Sequence, residues 1–474
     1  MSLPTRRALL AATAGLTFGL ACQPRRAAAA AVPAQLRERM ARAAEDGLDP
    51  THYAAPDDPA AQAEALGRFA RDLGFGRIQE LAGRPDILRA EVPGPAALAA
   101  MILAAADPVA ALDSLAPRTP LYVALKAELA RLRTARWPSL EPSGRTINPG
   151  ARDAQVAVLR ARLAASDPSI GPTRDPEFYD PALVAAARRF QAAHGLDADG
   201  KLGRYSQALL AETPAARAGR AAASMDLLRA PAAAEPELAI EVNIPAYRFV
   251  AAESGHEVLA MKVVVGKPAR PTPLMQTRMI SAVFNPPWGV PMRLAREDLL
   301  PRLRADPSAV AARGFRIYGA GGVEVDPTTV NWRSVREDRF PFVIRQDPGD
   351  ANALGRIKFN LVNELDIYMH DTPDRRYFAT DVRAFSSGCI RLERPLEMYD
   401  LLFAGQSGMD RARLQALLDR RTTSSMAARR AIPVNLVYRT AALDGAGRLL
   451  LRHDIYGHDA AYARAMAQPT TRAA

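Results

Sequence analysis

The sequence predicts a multidomain α+β protein in which helical units precede a β-rich C-terminal domain. Three observations lead to that expectation. The chain has 474 residues, and at roughly 100–200 residues per domain this is enough for about three separate cores. Its apolar and charged fractions, 49% and 24%, are those of globular proteins and exclude a disordered chain or a membrane bundle. The apolar residues change from helical spacing to strict alternation near residue 237.

Residues 1–31 read as a signal peptide. Arg6 and Arg7 precede an apolar run from Ala8 to Ala21, too short to span a bilayer, and Ala27 to Ala31 offer small residues for cleavage. Thr5-Arg6-Arg7 with Leu9 and Leu10 is compatible with twin-arginine export, and the general secretory route stays open. Cys22 after Leu20-Ala21 is a candidate lipid anchor, although Gly19 stands where a lipobox prefers Leu. The expected location is the periplasm or cell envelope. The net charge of +11 includes Arg6, Arg7, Arg25 and Arg26 in a segment without acids. The remaining surplus is dispersed arginine with no basic run or aromatic-spaced stripe, which argues against nucleic acid and for an anionic wall or membrane surface.

Residues 32–148 form a helical scaffold unit, with helical spacing over Gln35 to Met40 and Leu121 to Leu132 and proline-rich breaks at Ala54 to Pro59 and Pro117 to Pro120. Residues 149–212 form a compact three-helix unit. Val156, Leu159 and Leu163 make one helical face there, and Val184, Ala187 and Phe190 make a second, closed by His194-Gly195-Leu196. An Ala/Arg-rich linker over 213–236 leads into the β-rich domain, 237–474. Its first strands alternate over Leu238 to Ile244, Phe249 to Ala251 and Val258 to Val265, with a hairpin turn at Glu253-Ser254-Gly255-His256. A lid-like insertion of helix and loop occupies 294–342, and 404–474 is read as a C-terminal helix and returning strands. Trp288 and Trp332 are read as packing residues.

Cysteine usage narrows the chemistry. With Cys22 in the export segment, Cys389 is the one cysteine left in the folded part. A lone thiol in an oxidising compartment is a liability unless the thiol itself is used. A thiol is mostly protonated at neutral pH, so a nucleophilic cysteine needs a base or cation nearby, and His370 in Tyr368-Met369-His370-Asp371 lies at a strand end from which it can reach Ser386-Ser387-Gly388-Cys389-Ile390-Arg391. Gly388 permits a tight turn, so that its N–H and that of Cys389 can meet a developing oxyanion. Arg391, two residues beyond the thiol, is a candidate for a substrate carboxylate. Tyr368 and Ser387 are further candidate substrate contacts. Ser386 and Ser387 are alternative nucleophiles, but no G-x-S-x-G pattern frames them. The six histidines are scattered without metal-ligand spacing, and neither a metal nor a cofactor is expected.

The stretch His370-Asp371-Thr372-Pro373 with Ser386-Ser387-Gly388-Cys389-Ile390-Arg391 resembles the signature of the L,D-transpeptidase catalytic domain. Asn285-Pro286-Pro287-Trp288-Gly289-Val290-Pro291 and Asn352 to Phe359 match its large multidomain members. Arg189-Phe190-Gln191, His194-Gly195-Leu196, Asp199-Gly200 and Leu202-Gly203 resemble the peptidoglycan-binding-like domain. Asp371 stands where many members have Gly, and Ser387 where many have His. The resemblance implies a cysteine acyltransferase of peptidoglycan, with Cys389 as nucleophile, His370 as general base and acid, and Asp371 orienting His370 through its backbone carbonyl. It implies donor and acceptor stem peptides as partners and carbapenems as inhibitors. Hydrolysis of the stem, attachment of an outer-membrane protein and a non-catalytic wall-binding scaffold stay open as alternatives.

Overall fold

The computed structural model describes residues 31–87, 92–229 and 236–468. Two compact units emerge: residues 235–437, and the helical remainder joined by residues 438–474. The signal-peptide segment and Cys22 lie outside the described residues. Among the described residues no helix is long and apolar enough to cross a membrane.

The helical unit holds separate cores. Helices Ala34–Ala41, Pro59–Phe75 and Pro95–Leu103 bury Leu36, Phe69 and Ile102 completely. Helices Ala154–Ala164, Pro181–Ala193 and Arg204–Leu210 enclose Leu159, Leu183 and Leu210 in a second core. Asp180 starts the middle helix by accepting the Leu183 N–H at 2.8 Å, and Gly195 ends it at φ +68°, a left-handed turn that glycine adopts at no steric cost.

Two sequence expectations change here. The presumed linker is a 15-residue helix, Pro214–Leu228, capped by the Thr213 side chain. Alanine-rich sequence has high helix propensity, and the buried face is made from Arg217, Arg220 and Asp226 as much as from Ala221 and Met225, so no large apolar stripe announced it. The C-terminal segment belongs to the helical unit rather than to the β-rich one. Hairpin strands β14 (Ala441–Leu443) and β15 (Leu449–Leu451) contribute Ala441 and Leu451 to a core with Tyr122, Leu125 and Met225. The final helix, His458–Ala467, buries Tyr462, whose hydroxyl donates to Asp226 at 2.7 Å. His453 and His458 are therefore residues of the helical unit.

The β-rich unit runs through β1 (Leu238–Asn243), β2 (Arg248–Glu253), β3 (His256–Gly266), β4 (Met275–Phe284), β5 (Trp288–Gly289), β6 (Phe315–Tyr318), β7 (Glu324–Val325), β8 (Val343–Gln346), β9 (Ile357–Leu361), β10 (Tyr368–His370), β11 (Ala384–Ser386), β12 (Ile390–Leu392) and β13 (Ser424–Val437). Nine of these form one mixed sheet in the order β11-β3-β12-β10-β9-β4-β13-β1-β2, and a further β2–β3 pairing closes it on itself. Ser254 and Gly255, both at positive φ, turn the β2–β3 hairpin.

The insertion opens as the expected helix, over Ala295–Leu299, Leu300–Ala305 and Pro307–Ala312, but strand follows where loop alone was expected. Strands β5, β8, β6 and β7 make a second, four-stranded sheet over a core of Leu300, Leu303, Ile317, Trp332 and Ile344. Trp332 is buried and its indole N–H donates to the Pro327 carbonyl at 2.6 Å. Because β5 and β8 flank the insertion and share its core, it is an integral layer, not a detachable flap.

Candidate functional site

Three adjacent strands build the floor of the site. Side chains alternate between the two faces of a sheet, and the pairing register aligns Phe359 on β9, Met369 on β10 and Ile390 on β12 in one row. All three are fully buried, each contributing about 1.5–3 kcal/mol by leaving water. The rows on either side must face the other way. One is Lys358, His370 and Arg391, partner to partner across three strands. The other contains Asn360 and Tyr368, and Cys389, immediately before β12, comes out beside it. That face opens into a cavity of about 750 Å³ lined by Lys358, Tyr368, His370, Cys389 and Arg391. Trp288 and the insertion residues Asp298 and Leu299 line it as well.

The nucleophile turn is fastened from several sides. Gly388 has φ +124°, a conformation that L side chains rarely adopt. Its carbonyl accepts from Thr272 Oγ1 at 2.7 Å, and Thr272 Oγ1 in turn accepts from the Gly266 N–H at 2.8 Å. Ser386 is buried; its hydroxyl donates to the Cys389 carbonyl at 2.6 Å and accepts the Gly388 N–H at 3.2 Å. The Gly388 N–H is therefore directed inward and already bonded, contrary to the expectation that it is free for an oxyanion. Ser387 Oγ accepts from Arg270 Nη1 at 2.9 Å. The same guanidinium reaches Asp298 at 2.6 and 2.8 Å and Glu297 at 2.5 Å, tying the nucleophile turn to the insertion helix. Both serines thus hold the turn in shape.

His370 ends β10 and is buried at 4% exposure. Its Nδ1 meets the Asp371 carbonyl at 2.5 Å, so the proton sits on Nδ1 and Nε2 is left as the acceptor. Burial, reinforced by the Arg391 charge, lowers its pKa to about 3, against the pull of the Asp371 and Leu354 carbonyls. The Cys389 thiol is half-buried and hydrogen-bonded to the Asp366 carbonyl at 3.6 Å. Burial pushes its pKa up, while the Tyr368 N–H and hydroxyl and the charges of Lys358 and Arg391 favour the thiolate. Both shifts favour the neutral forms of the thiol and the imidazole.

The Asp371 side chain has a use of its own. Its carboxylate accepts the Arg356 N–H at 3.0 Å and lies against Gly355, where an added Cβ would stand 2.4 Å from Asp371 Oδ2. Arg391 is held by Asp374 at 3.5 Å and leans on the Tyr377 ring at 5.6 Å, while its buried Nε has no hydrogen-bond partner. Lys358, Arg270 and Thr272 belong to the site and escaped the sequence reading; only the register of β9 against β10 brings Lys358 beside His370. Among the described residues no His, Cys, Asp and Glu cluster could hold a metal ion.

A β-rich domain with a thiol, an imidazole and a guanidinium on one cavity wall has the make-up of a cysteine acyl-transfer site. Comparison with known proteins finds three domain matches: residues 237–407 match the L,D-transpeptidase catalytic domain, residues 26–129 a scaffold domain and residues 152–205 a "Putative peptidoglycan binding domain". The β-rich part of the chain is thus similar to an L,D-transpeptidase catalytic domain, and it follows the two helical matches. A curated protein of Haemophilus influenzae named "Putative L,D-transpeptidase" is 39% identical over 220 residues, 46% of this chain and 44% of that protein. The chain thus spans less than half the length of the curated relative it matches. Among solved structures, an L,D-transpeptidase from Mycobacterium smegmatis is 14% identical over 42% of this chain and 58% of its own, with a TM-score of 0.22. An L,D-transpeptidase from Stackebrandtia nassauensis is 11% identical over 64% and 97%, with a TM-score of 0.20.

Proposed function

We propose that this protein is an exported L,D-transpeptidase of the periplasm or cell envelope that forms 3→3 peptidoglycan cross-links through a Cys389 thioester. The observation that supports it most is the shared cavity wall on which Cys389, His370 and Arg391 stand together. Cys389 sulfur attacks the carbonyl of the third residue of a donor tetrapeptide, expected to be meso-diaminopimelate, as its proton passes to His370 Nε2. The same proton goes on to the departing D-alanine amine, the C–N bond breaks and a thioester remains. The amine of a second stem then attacks, yields its proton to His370 and releases the thiol. The Cys389 N–H and the Tyr368 hydroxyl, which interacts with the thiol, are the candidate donors to a developing oxyanion; the Gly388 N–H joins them only by leaving Ser386. This chemistry calls for no metal or cofactor.

The test is mass spectrometry of purified protein incubated with tetrapeptide stems. A thioester adduct on Cys389 and a cross-linked dimer are expected. Tripeptide alone would make the protein a carboxypeptidase, and no adduct of any kind would remove the acyl-transfer reading. Carbapenems are expected to add to Cys389 with the corresponding mass shift.

A further inference from the structure

His370 is flanked on both neighbouring strands by a cation. Lys358 is its register partner on β9 and Arg391 its partner on β12, at the roughly 4.8 Å spacing of adjacent strands. Arg391 has Asp374 beside it. Lys358 has no carboxylate at ion-pair distance among the described residues; its ammonium rests 4.2 Å from the centre of the Tyr368 ring, and it lines the cavity with Cys389. The charged and titratable groups around it are Tyr368 and His370 on β10, Asp366 before that strand, and Cys389 and Arg391 at β12. A half-buried ammonium that rests on an aromatic face, with the Asp366 charge nearby but no carboxylate in contact, can accept an anion when a ligand arrives.

The acid that protonates the leaving amine must lie beside that amine. When the leaving group is an amino acid, its carboxylate is two bonds from the nitrogen, which brings it within reach of whatever flanks the imidazole. We propose that Lys358 is a specificity-determining residue whose ammonium binds the free carboxylate of the leaving amino acid, so that donors ending one residue beyond the acylated carbonyl are preferred. This deepens the acyl-transfer reading and rests on it. Arg391, shared with Asp374, then serves carboxylates further along the stem. An amidated or extended donor offers Lys358 no negative charge and leaves the ammonium on the ring.

The experiment compares thioester formation from a tetrapeptide with a free C-terminus and from the same peptide as its C-terminal amide, by intact-protein mass against time. Wild-type protein is expected to favour the acid by roughly tenfold or more in kcat/KM, the worth of a hydrogen bond to a charged group. Lys358→Met should bring that ratio to within about threefold, the loss falling on KM for the acid, and Lys358→Arg should retain most of the preference. Because both donors meet the same protein sample, a loss of folded enzyme lowers both rates and leaves the ratio where it was. An unchanged ratio in Lys358→Met would overturn the assignment while leaving acyl transfer intact. Absence of any thioester in the wild-type protein would overturn acyl transfer and this inference together.

Discussion

Two histidines, one in each unit, are nearly identical by local chemistry. His194 and His370 are both buried, at 6% and 4% exposure. Each turns Nδ1 to a backbone carbonyl, Phe190 at 2.7 Å and Asp371 at 2.5 Å. Burial lowers both pKa values to about 3. The difference lies on the second nitrogen. Arg217 Nη2 sits 2.8 Å from Nε2 of His194, whereas the His370 ring has the Leu354 carbonyl as its second hydrogen-bond neighbour and lines a cavity shared with a thiol. A perturbed, buried imidazole does not identify a base. An imidazole fixed by a carbonyl on the wall of a cavity that also holds a nucleophile is the candidate.

The sharpest way to break that comparison is to remove each ring. His370→Ala should slow Cys389 acylation by roughly two to four orders of magnitude, the usual worth of a positioned general base. His194→Ala should leave acylation within a few-fold and instead lower the unfolding free energy by roughly 1–3 kcal/mol, because Arg217 loses a buried acceptor. Comparable acylation losses in the two variants would mean that a place on the cavity wall is not what matters. Cys389→Ala bounds the scale, since no other cysteine lies in the described residues; thioester formation should vanish with the fold retained, as judged by circular dichroism.

Arg391→Ala should cost about 1.5–3 kcal/mol in kcat/KM for tetrapeptide, the range for a charged hydrogen bond. Alkylation of Cys389 by a small neutral reagent should stay within a few-fold, and an equal loss of alkylation would recast Arg391 as a residue that tunes the thiol. The smallest expected effect concerns resting protonation. With the thiol pKa raised and the imidazole neutral, the thiolate fraction grows as pH increases, so alkylation should climb about tenfold per pH unit through neutrality. A plateau below about pH 7 would reveal a thiolate–imidazolium ion pair in place of the neutral pair.

How far these features were legible in the sequence depended on the distance over which they are encoded. Cys389, Gly388 and Arg391 are close neighbours in the chain, and His370 sits in a short strand read directly from Tyr368-Met369-His370; the structure brings all four, with Tyr368, to one place. The β2–β3 hairpin was equally legible, because Ser254-Gly255 and the alternation beside it are local signals. Lys358 was not, since its neighbour His370 is reached only through strand pairing. Neither was the inward turn of the Gly388 N–H, which depends on Ser386 and Thr272 together. The short apolar run Leu449 to Leu451 beside Asp444-Gly445 was legible as a strand, but such a run cannot say which core the strand joins. The helix over 214–228 escaped because its buried face is built from paired arginines, such as Arg220 with Glu212, where apolar residues were sought.

The order in which the two units use the chain has a consequence for its synthesis. Ile240 on β1 takes Val434 on β13 as its parallel partner, so the β-rich sheet cannot close until nearly its whole sequence is present. Met466 and Tyr462 lie in the same core as Leu36 and Phe69, so the helical unit, begun first, is completed last. Contacts of such long sequence separation carry a large loop-closure cost before they reward it. A chain emerging from the ribosome would therefore expose the β-rich core until β13 arrived and the helical core until the final helix followed.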